Sequence, residues 1–408
     1  MGKLLRGRAP WEMWAGGVLL AAYVVGVAYF HCCTPTYRRF SSAGSSYVRY
    51  EKVRVLAVDR ESLHRDAVTG LELGAQVIRV RILTGEHKDE VVAVRNALSY
   101  SSNVKAEMGA TLVACVDTAD KNTYDVWIYS YDRAPFLYGL IGLFVATLCV
   151  VGSGRGIRSV LGIVFTFTGI VFLFIPLLYR GCSPASAAIG VVTVTLCVSL
   201  VLLGGIGPKT VSAMVGSIAG VAISGAVLAC ALRGMHLTGY SVAEADSLIQ
   251  IAGATHMKVE ELLFAAILIS SLGAIMDVAI SIASSVNEVF SGNEGLGTMA
   301  LFNAGMNVGR DMMGTMANTL ILAFTGTSLN LLILLYSMNV TYYQLVNNNL
   351  IGIYVVQAVS GSIAVVLTVP LVSAVAARLI PAMMGKESRR AARWDGSAPA
   401  ILGEADAP

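Results

Sequence analysis

Eight stretches of this chain are each about 20 residues long, mostly apolar and nearly free of charge, and they limit its fold more than any other feature. In lipid only a helix or a closed barrel satisfies its own backbone, and a helix needs about 20 apolar residues to cross. The runs lie at approximately 11–31, 135–151, 159–179, 185–204, 211–232, 261–285, 313–337 and 351–378. Composition agrees: 13% of the 408 residues are charged, against about a quarter in soluble domains. The expected fold is an α-helical integral membrane protein with about eight transmembrane helices, and its first partner is the lipid bilayer. A net charge of +3 gives no reason to expect nucleic-acid binding.

Lysine and arginine placement orients the runs. With the N-terminus in the cytoplasm, Lys3, Arg6, Arg8, Arg155, Arg158, Lys209, Arg310, Arg378, Lys386, Arg389, Arg390 and Arg393 lie inside. Short outer loops keep Arg180, Arg233 and Lys258. That asymmetry is the one the positive-inside rule expects. The first run follows a basic head, like a signal peptide, but no small-residue cleavage site closes it, so a retained anchor helix is the better reading. "YFHC" is a poor lipidation site at Cys32, because the residue before the cysteine should be small.

Residues 32–134 have another texture. "QVIRVRIL" (76–83) alternates Ile78, Val80 and Ile82 with Arg79 and Arg81, the period of a half-buried strand. "EVVAVRN" (90–96) repeats it after "TGEHKDE", and further strands are expected at 46–58, 109–117 and 124–131. Five short strands point to a small extracytoplasmic all-β domain, an OB- or SH3-like barrel inserted after the first helix. Four segments result: 1–31 with the first helix, 32–134, a seven-helix membrane domain at 135–381, and a basic, disordered cytoplasmic tail at 382–408. An amphipathic excursion is expected at 233–260 and an interfacial helix within 291–311, carrying Leu296, Met299, Leu301 and Phe302.

The sixth run holds a charge. Ser270, Gly273, Asp277, Ser281, Ser284 and Glu288 step by three or four and form one small-and-polar stripe, while Ile275, Val278, Ala279 and Ile282 form the apolar side. A carboxylate facing lipid costs several kcal/mol, so such groups normally face a bundle interior or a water-filled cavity and mark ion or proton paths. The stripe is therefore expected to face inward. The seventh run offers Asp311, Gly314 or Thr315, Asn318 and Thr325 on one side. At about 1.5 Å per residue, Asp277 sits roughly 12 Å from the inner end of its run and Asn318 roughly 8 Å from that of the next, so the two can meet. With Asn287, Asn307 and Arg310 added, these are the candidate residues of an ion or proton path, Arg310 and Asp311 at its cytoplasmic mouth.

Plainer readings apply to much of this. Hydroxyls and small residues often only hold membrane helices together, and "GSIAG" (216–220) reads as close packing. "GGIGPKT" (204–210) has proline where a phosphate loop needs glycine. His31, His64, His87, His236 and His256 lack metal-ligand spacing, and no catalytic motif is found. Neither an enzyme nor a cofactor is expected, beyond a coupling cation or proton. Cys149, Cys197 and Cys230 read as core residues, whereas Cys32, Cys33, Cys115 and Cys182 would face an oxidising compartment without specifying a pairing.

"LGAIMDVAISIASSVNEV" (272–289), "GMNVGRDMMGTMANTLILAFTGTSL" (305–329), "ILTGEHKDEVVAVRN" (82–96) and "YDRAPFL" (131–137) resemble the YibE/F family of bacterial multispanning membrane proteins. The resemblance spans about 46 to 380 and implies an extracytoplasmic β domain followed by a helical membrane domain, with no substrate attached. The order of a carboxylate-bearing helix, a polar exit and a Gly/Thr/Asn-bearing helix is similar, in pattern alone, to half of a SecD/SecF-type permease, where intramembrane carboxylates relay protons. The implied location is the bacterial cytoplasmic membrane, with both termini inside and the β domain outside. The leading expectation is a permease, coupled to protons or another cation. The alternative is a non-transporting assembly factor or envelope sensor, with the stripe as a subunit interface. A homo-oligomer or an envelope protein partner fits either.

Overall fold

A computed structural model of the chain describes residues 47–120 and 123–394. The first apolar run, Cys32, Cys33 and residues 395–408 lie outside them. The described residues form two compact units that divide between Thr147 and Leu148.

The first unit is an antiparallel sheet of β1 (Val48–Arg65), β2 (Glu72–Ile82), β3 (Val91–Leu98), β4 (Thr111–Asp120) and β5 (Thr123–Tyr131), in the order β3-β2-β1-β4-β5. The sheet curls until β3 and β5 approach. The predicted alternation holds: Ile78, Val80 and Ile82 are fully buried, Arg79 and Arg81 exposed. β1 outruns the predicted 46–58 because its second half, Asp59–Arg65, pairs with the start of β2 as a mostly exposed ribbon without an apolar face. One polar cluster sits in the core. The Asn96 Nδ2 donates to Gln76 Oε1 (3.1 Å) and to the Val104 carbonyl (2.7 Å), and the Ala106 amide donates to the same Gln76 oxygen (2.9 Å). These bonds fasten the β3–β4 connection against the curled sheet; an unpaired buried amide would cost about 1–3 kcal/mol.

The helices follow as α1 (Ala134–Gly154), α2 (Gly156–Tyr179), α3 (Pro184–Gly204), α4 (Pro208–Gly234), α5 (Ala245–Ala254), α6 (Leu262–Gly292), α7 (Thr298–Thr327), α8 (Leu329–Ser337), α9 (Tyr342–Val346) and α10 (Asn349–Trp394). Six are long and apolar enough to cross a membrane among the described residues. A seventh span arises if α7 and α8, bent by 58° across their break, count together. This is a helical membrane protein with a β domain. Ser153, at φ 49°, breaks α1 from α2 amid Gly152, Gly154 and Gly156.

α10 is the hub of the second unit. α4 packs on it through Gly216 against Val372 and Gly220 against Thr368, and α7 through Gly305 against Ser373 and Gly309 against Val369. Both helices run antiparallel to α10, whereas α6 runs parallel to it, with Gln357 Nε2 donating to Ser270 Oγ at 3.1 Å. Lipid tails are as apolar as leucine, so close backbone approach at small residues, not escape from water, drives such packing. Two expectations change here. The inner segment is no separate interfacial helix: α7 begins at Thr298 and runs on unbroken, with Leu301 fully buried and Met299 exposed. The C-terminal helix does not stop near 381 but continues to Trp394, through "GKESRRAARW", whose alanines, arginines, lysine and glutamate favour helix.

Candidate functional site: the outer face of α6 and α7

Asp277 is the central residue of α6, with 15 residues before it (277 − 262) and 15 after (292 − 277). At about 1.5 Å per residue it lies some 22 Å from either end, deeper than the shorter predicted run implied. Ile275, Val278, Ala279, Ile282 and Ala283 are completely buried against the bundle. Ser270, Gly273, Asp277 and Glu288 are exposed, and Ser281, Ser284 and Asn287 half-buried. The stripe is one face, as its spacing predicts, but it looks out of the chain's own bundle. The reason is packing: α10 and α7 need the alanines and β-branched residues of the other side for close approach.

α7 repeats the arrangement. Leu301, Gly305 and Gly309 are its buried residues, and Asn307, Arg310, Asp311, Thr315, Asn318 and Thr325 are all exposed. Gly305 lies against Val286 and Gly309 against Ile282, while Leu320 and Ser271 flank the same Gly361. Continued at equal rise, this antiparallel register brings Gly314 level with Asp277, Arg310 with Ser281, and Asn318 with Gly273. Asp277 and Asn318 are thus offset by about one helical turn on a shared face. Arg310 and Asp311 lie twelve and thirteen residues past the start of α7 (310 − 298 and 311 − 298), on the helix itself.

The hydroxyls of this face are largely turned to their own helices. Ser281 Oγ donates to the Asp277 carbonyl (2.8 Å), Ser285 Oγ to the Ser281 carbonyl (3.0 Å), and Thr315 Oγ1 to the carbonyls of Met312 (2.9 Å) and Asp311 (3.2 Å). Each of these hydroxyl oxygens still has acceptor capacity. Among the described residues, no ion pair or hydrogen bond engages the side chains of Asp277, Glu288, Arg310 or Asp311. In lipid an aspartate or arginine at helix centre costs about 2.5–3.5 kcal/mol. Such a face calls for water, an ion or another protein surface.

A family model described as "YibE/F-like protein" matches residues 140–382, more than half of the chain. The chain belongs to the YibE/F-like family. The stretch matched to the YibE/F-like model begins within α1 and ends within α10, so it contains both α6 and α7 with the whole polar face and leaves the sheet outside. No curated protein and no solved structure matches the chain.

Three features escaped the sequence reading. "GMNVG" (305–309) is a second small-xxx-small motif, and its spacing was available to find it. Ser199, Ser217 and Ser373 bury hydroxyls inside the bundle that find no hydrogen-bond partner among the described residues, and apolar neighbours gave them no signal. An open cleft of about 700 Å³ is lined by Ser241, Tyr343, Gln344, Asn347, Asn348 and Asn349, all neutral. The described residues hold no group of three His, Cys, Asp or Glu able to bind a metal. Cys115, buried, and Cys182, exposed, are both free thiols.

Proposed function

We propose that this YibE/F-like protein is an ion-coupled permease of the bacterial cytoplasmic membrane. The observation that carries this reading is Asp277, a carboxylate at the midpoint of a 31-residue membrane helix whose side chain has no partner among the described residues. An aspartate held only for structure would have a donor beside it; one that takes up a proton or cation must be able to lose its partner. Ser281, Thr315 and Asn318 offer oxygen ligands or a proton route within a turn or so of it, and Arg310 and Asp311 continue the polar face toward the α6–α7 loop. The chain binds no cofactor and catalyses no covalent chemistry in this scheme; its substrate is the transported solute. The sheet is read as an extracytoplasmic OB-type barrel that meets substrate or an envelope protein. Its strand order, with β3 curled toward β5, supports that. Both termini are read as cytoplasmic.

A second reading has an observation of its own. Because the polar stripe faces out of the bundle, it also suits a subunit interface in a non-transporting assembly factor or sensor. Proteoliposomes containing a pH-sensitive dye and challenged with a panel of cations separate the two. Wild type should move protons or one of the cations, and Asp277→Asn, which keeps the shape and removes the titratable charge, should abolish it in a folded protein. No movement by wild type, together with loss of the oligomer in Asp277→Asn, would transfer the stripe to the second reading.

A further inference from the structure

We infer that the outer face of α6 and α7 is closed by a second copy of this chain, with Asp277 of each copy facing Arg310 of the other. The inference deepens the permease reading, since it says what completes the same site. Membrane insertion gives both copies one orientation, so a self-complementary contact has its two-fold axis along the membrane normal and brings residues of similar depth together. Arg310, level with Ser281, lies about one helical turn in depth from Asp277, a span that an arginine side chain covers. Acid and base therefore stand at nearly matching depth on one exposed face, the condition for pairing with itself across a two-fold.

The other charges on these helices fit the contact. Asp311 adjoins Arg310 and shares the guanidinium's field, and Glu288 lies four residues from the end of α6 (292 − 288), where headgroups and water reach it. Gly273 and Gly314 are small residues on this face: a Cβ added at either meets none of the described residues within 4 Å. A second backbone can come close there. α8 adds apolar surface at the far end of α7. It turns 58° from α7 and buries none of its residues, leaving Leu329, Ile333, Leu334 and Tyr336 exposed.

Charge exchange in trans tests this. Two differently tagged copies are co-expressed, and the fraction that co-purifies from mixed membranes is measured, with native mass spectrometry for stoichiometry. Wild-type copies should associate. Asp277→Arg alone and Arg310→Asp alone should each lower association about tenfold, because every pair becomes like-charged. Co-expressing the Asp277→Arg chain with the Arg310→Asp chain should restore it to within about twofold, since both pairs are again opposite in sign. A pair made within one chain gives no such rescue. Should the charge variants not fold, Gly314→Cys in a cysteine-free chain should cross-link to itself on oxidation in membranes, and Val215→Cys, exposed on α4, should not. Wild-type copies that never associate, a failed rescue, or no Gly314→Cys cross-link would overturn the inference and assign the face to another occupant. Neither association nor cross-linking depends on transport. Ion movement by a monomer would sink the dimer and spare the permease; a dimer that moves no ion would do the reverse.

Discussion

Tyr124 shows how one side chain of the sheet sets the protonation of its neighbours. Its hydroxyl donates to Glu90 Oε2, while the His87 ring stacks on the phenol at 4.0 Å and meets Glu90 Oε1 at 3.2 Å through Nδ1. Burial, and then the negative acceptor at its hydroxyl, push the Tyr124 phenol up to about 12, and the bond from Tyr124 holds Glu90 below the ordinary glutamate range. The signs follow from linkage. Tyr124 keeps its proton in the folded sheet where the unfolded chain has released it, so its contribution is complete below about pH 10 and is lost as pH rises from there toward 12. Glu90 behaves oppositely: its contribution is present above the ordinary glutamate pKa and disappears as pH falls through its lowered one. Phenolate absorbance of wild type minus that of Tyr124→Phe should show one tyrosine ionising near pH 12; a difference already complete near pH 10 would contradict the arrangement. Unfolding curves of Tyr124→Phe should also lose their alkaline decline between those values.

At the scale of the element, the bundle depends on where a helix has no side chain. A Cβ on Gly309 would run into Val369 Cγ1 and come within 3.2 Å of Ile282 Cδ1, whereas one on Gly314, five residues on, meets nothing within 4 Å. Gly309→Ala should destabilise the protein by about 1–3 kcal/mol, the usual cost of overpacking, and Gly314→Ala should leave the unfolding of the single chain nearly unchanged. Thermal or denaturant unfolding in detergent measures both, and equal effects would mean that α7 does not pack through Gly305 and Gly309. The pair also shows what periodicity can and cannot say. Steps of three and four identified correctly which residues of α6 share a face with Asp277. They did not reveal that the face looks outward, because in lipid both sides of a helix can be apolar and the inner side is chosen by fit against α7 and α10. In the sheet, water makes that choice, so Ile78, Val80 and Ile82 could be assigned to the core directly. Where apolar alternation ends, in the second half of β1, strand pairing continues and the sequence goes quiet. The start of α7 differs for a related reason: the predicted apolar run begins only at 313, yet Asn307, Arg310 and Asp311 decorate the exposed side of a helix whose other side is Leu301, Gly305 and Gly309.

Across the whole molecule, the ends of the helical unit differ, and the difference fixes a testable orientation. At one end the α2–α3 turn docks on the connection leading into α6: Gly181 lies against His256, and the Ala185 amide and the Ser183 hydroxyl donate to Glu261. That end carries few cations, Arg180, Arg233 and Lys258, and exposes the Cys182 thiol. The opposite end holds the α3–α4 and α6–α7 turns, with Lys209 at the start of α4. Arg378 lies in the part of α10 that runs toward that end. Lysines and arginines retained on the cytoplasmic side would direct the Cys182 end outward. In a chain whose other cysteines are replaced, an impermeant maleimide added to intact cells should label Cys182, and a cysteine introduced at Asn293 in the α6–α7 turn should react only after the membrane is opened. The reverse pattern would invert the molecule. One labelling experiment thus decides which end of α6, with Asp277 at its midpoint, faces the cytoplasm.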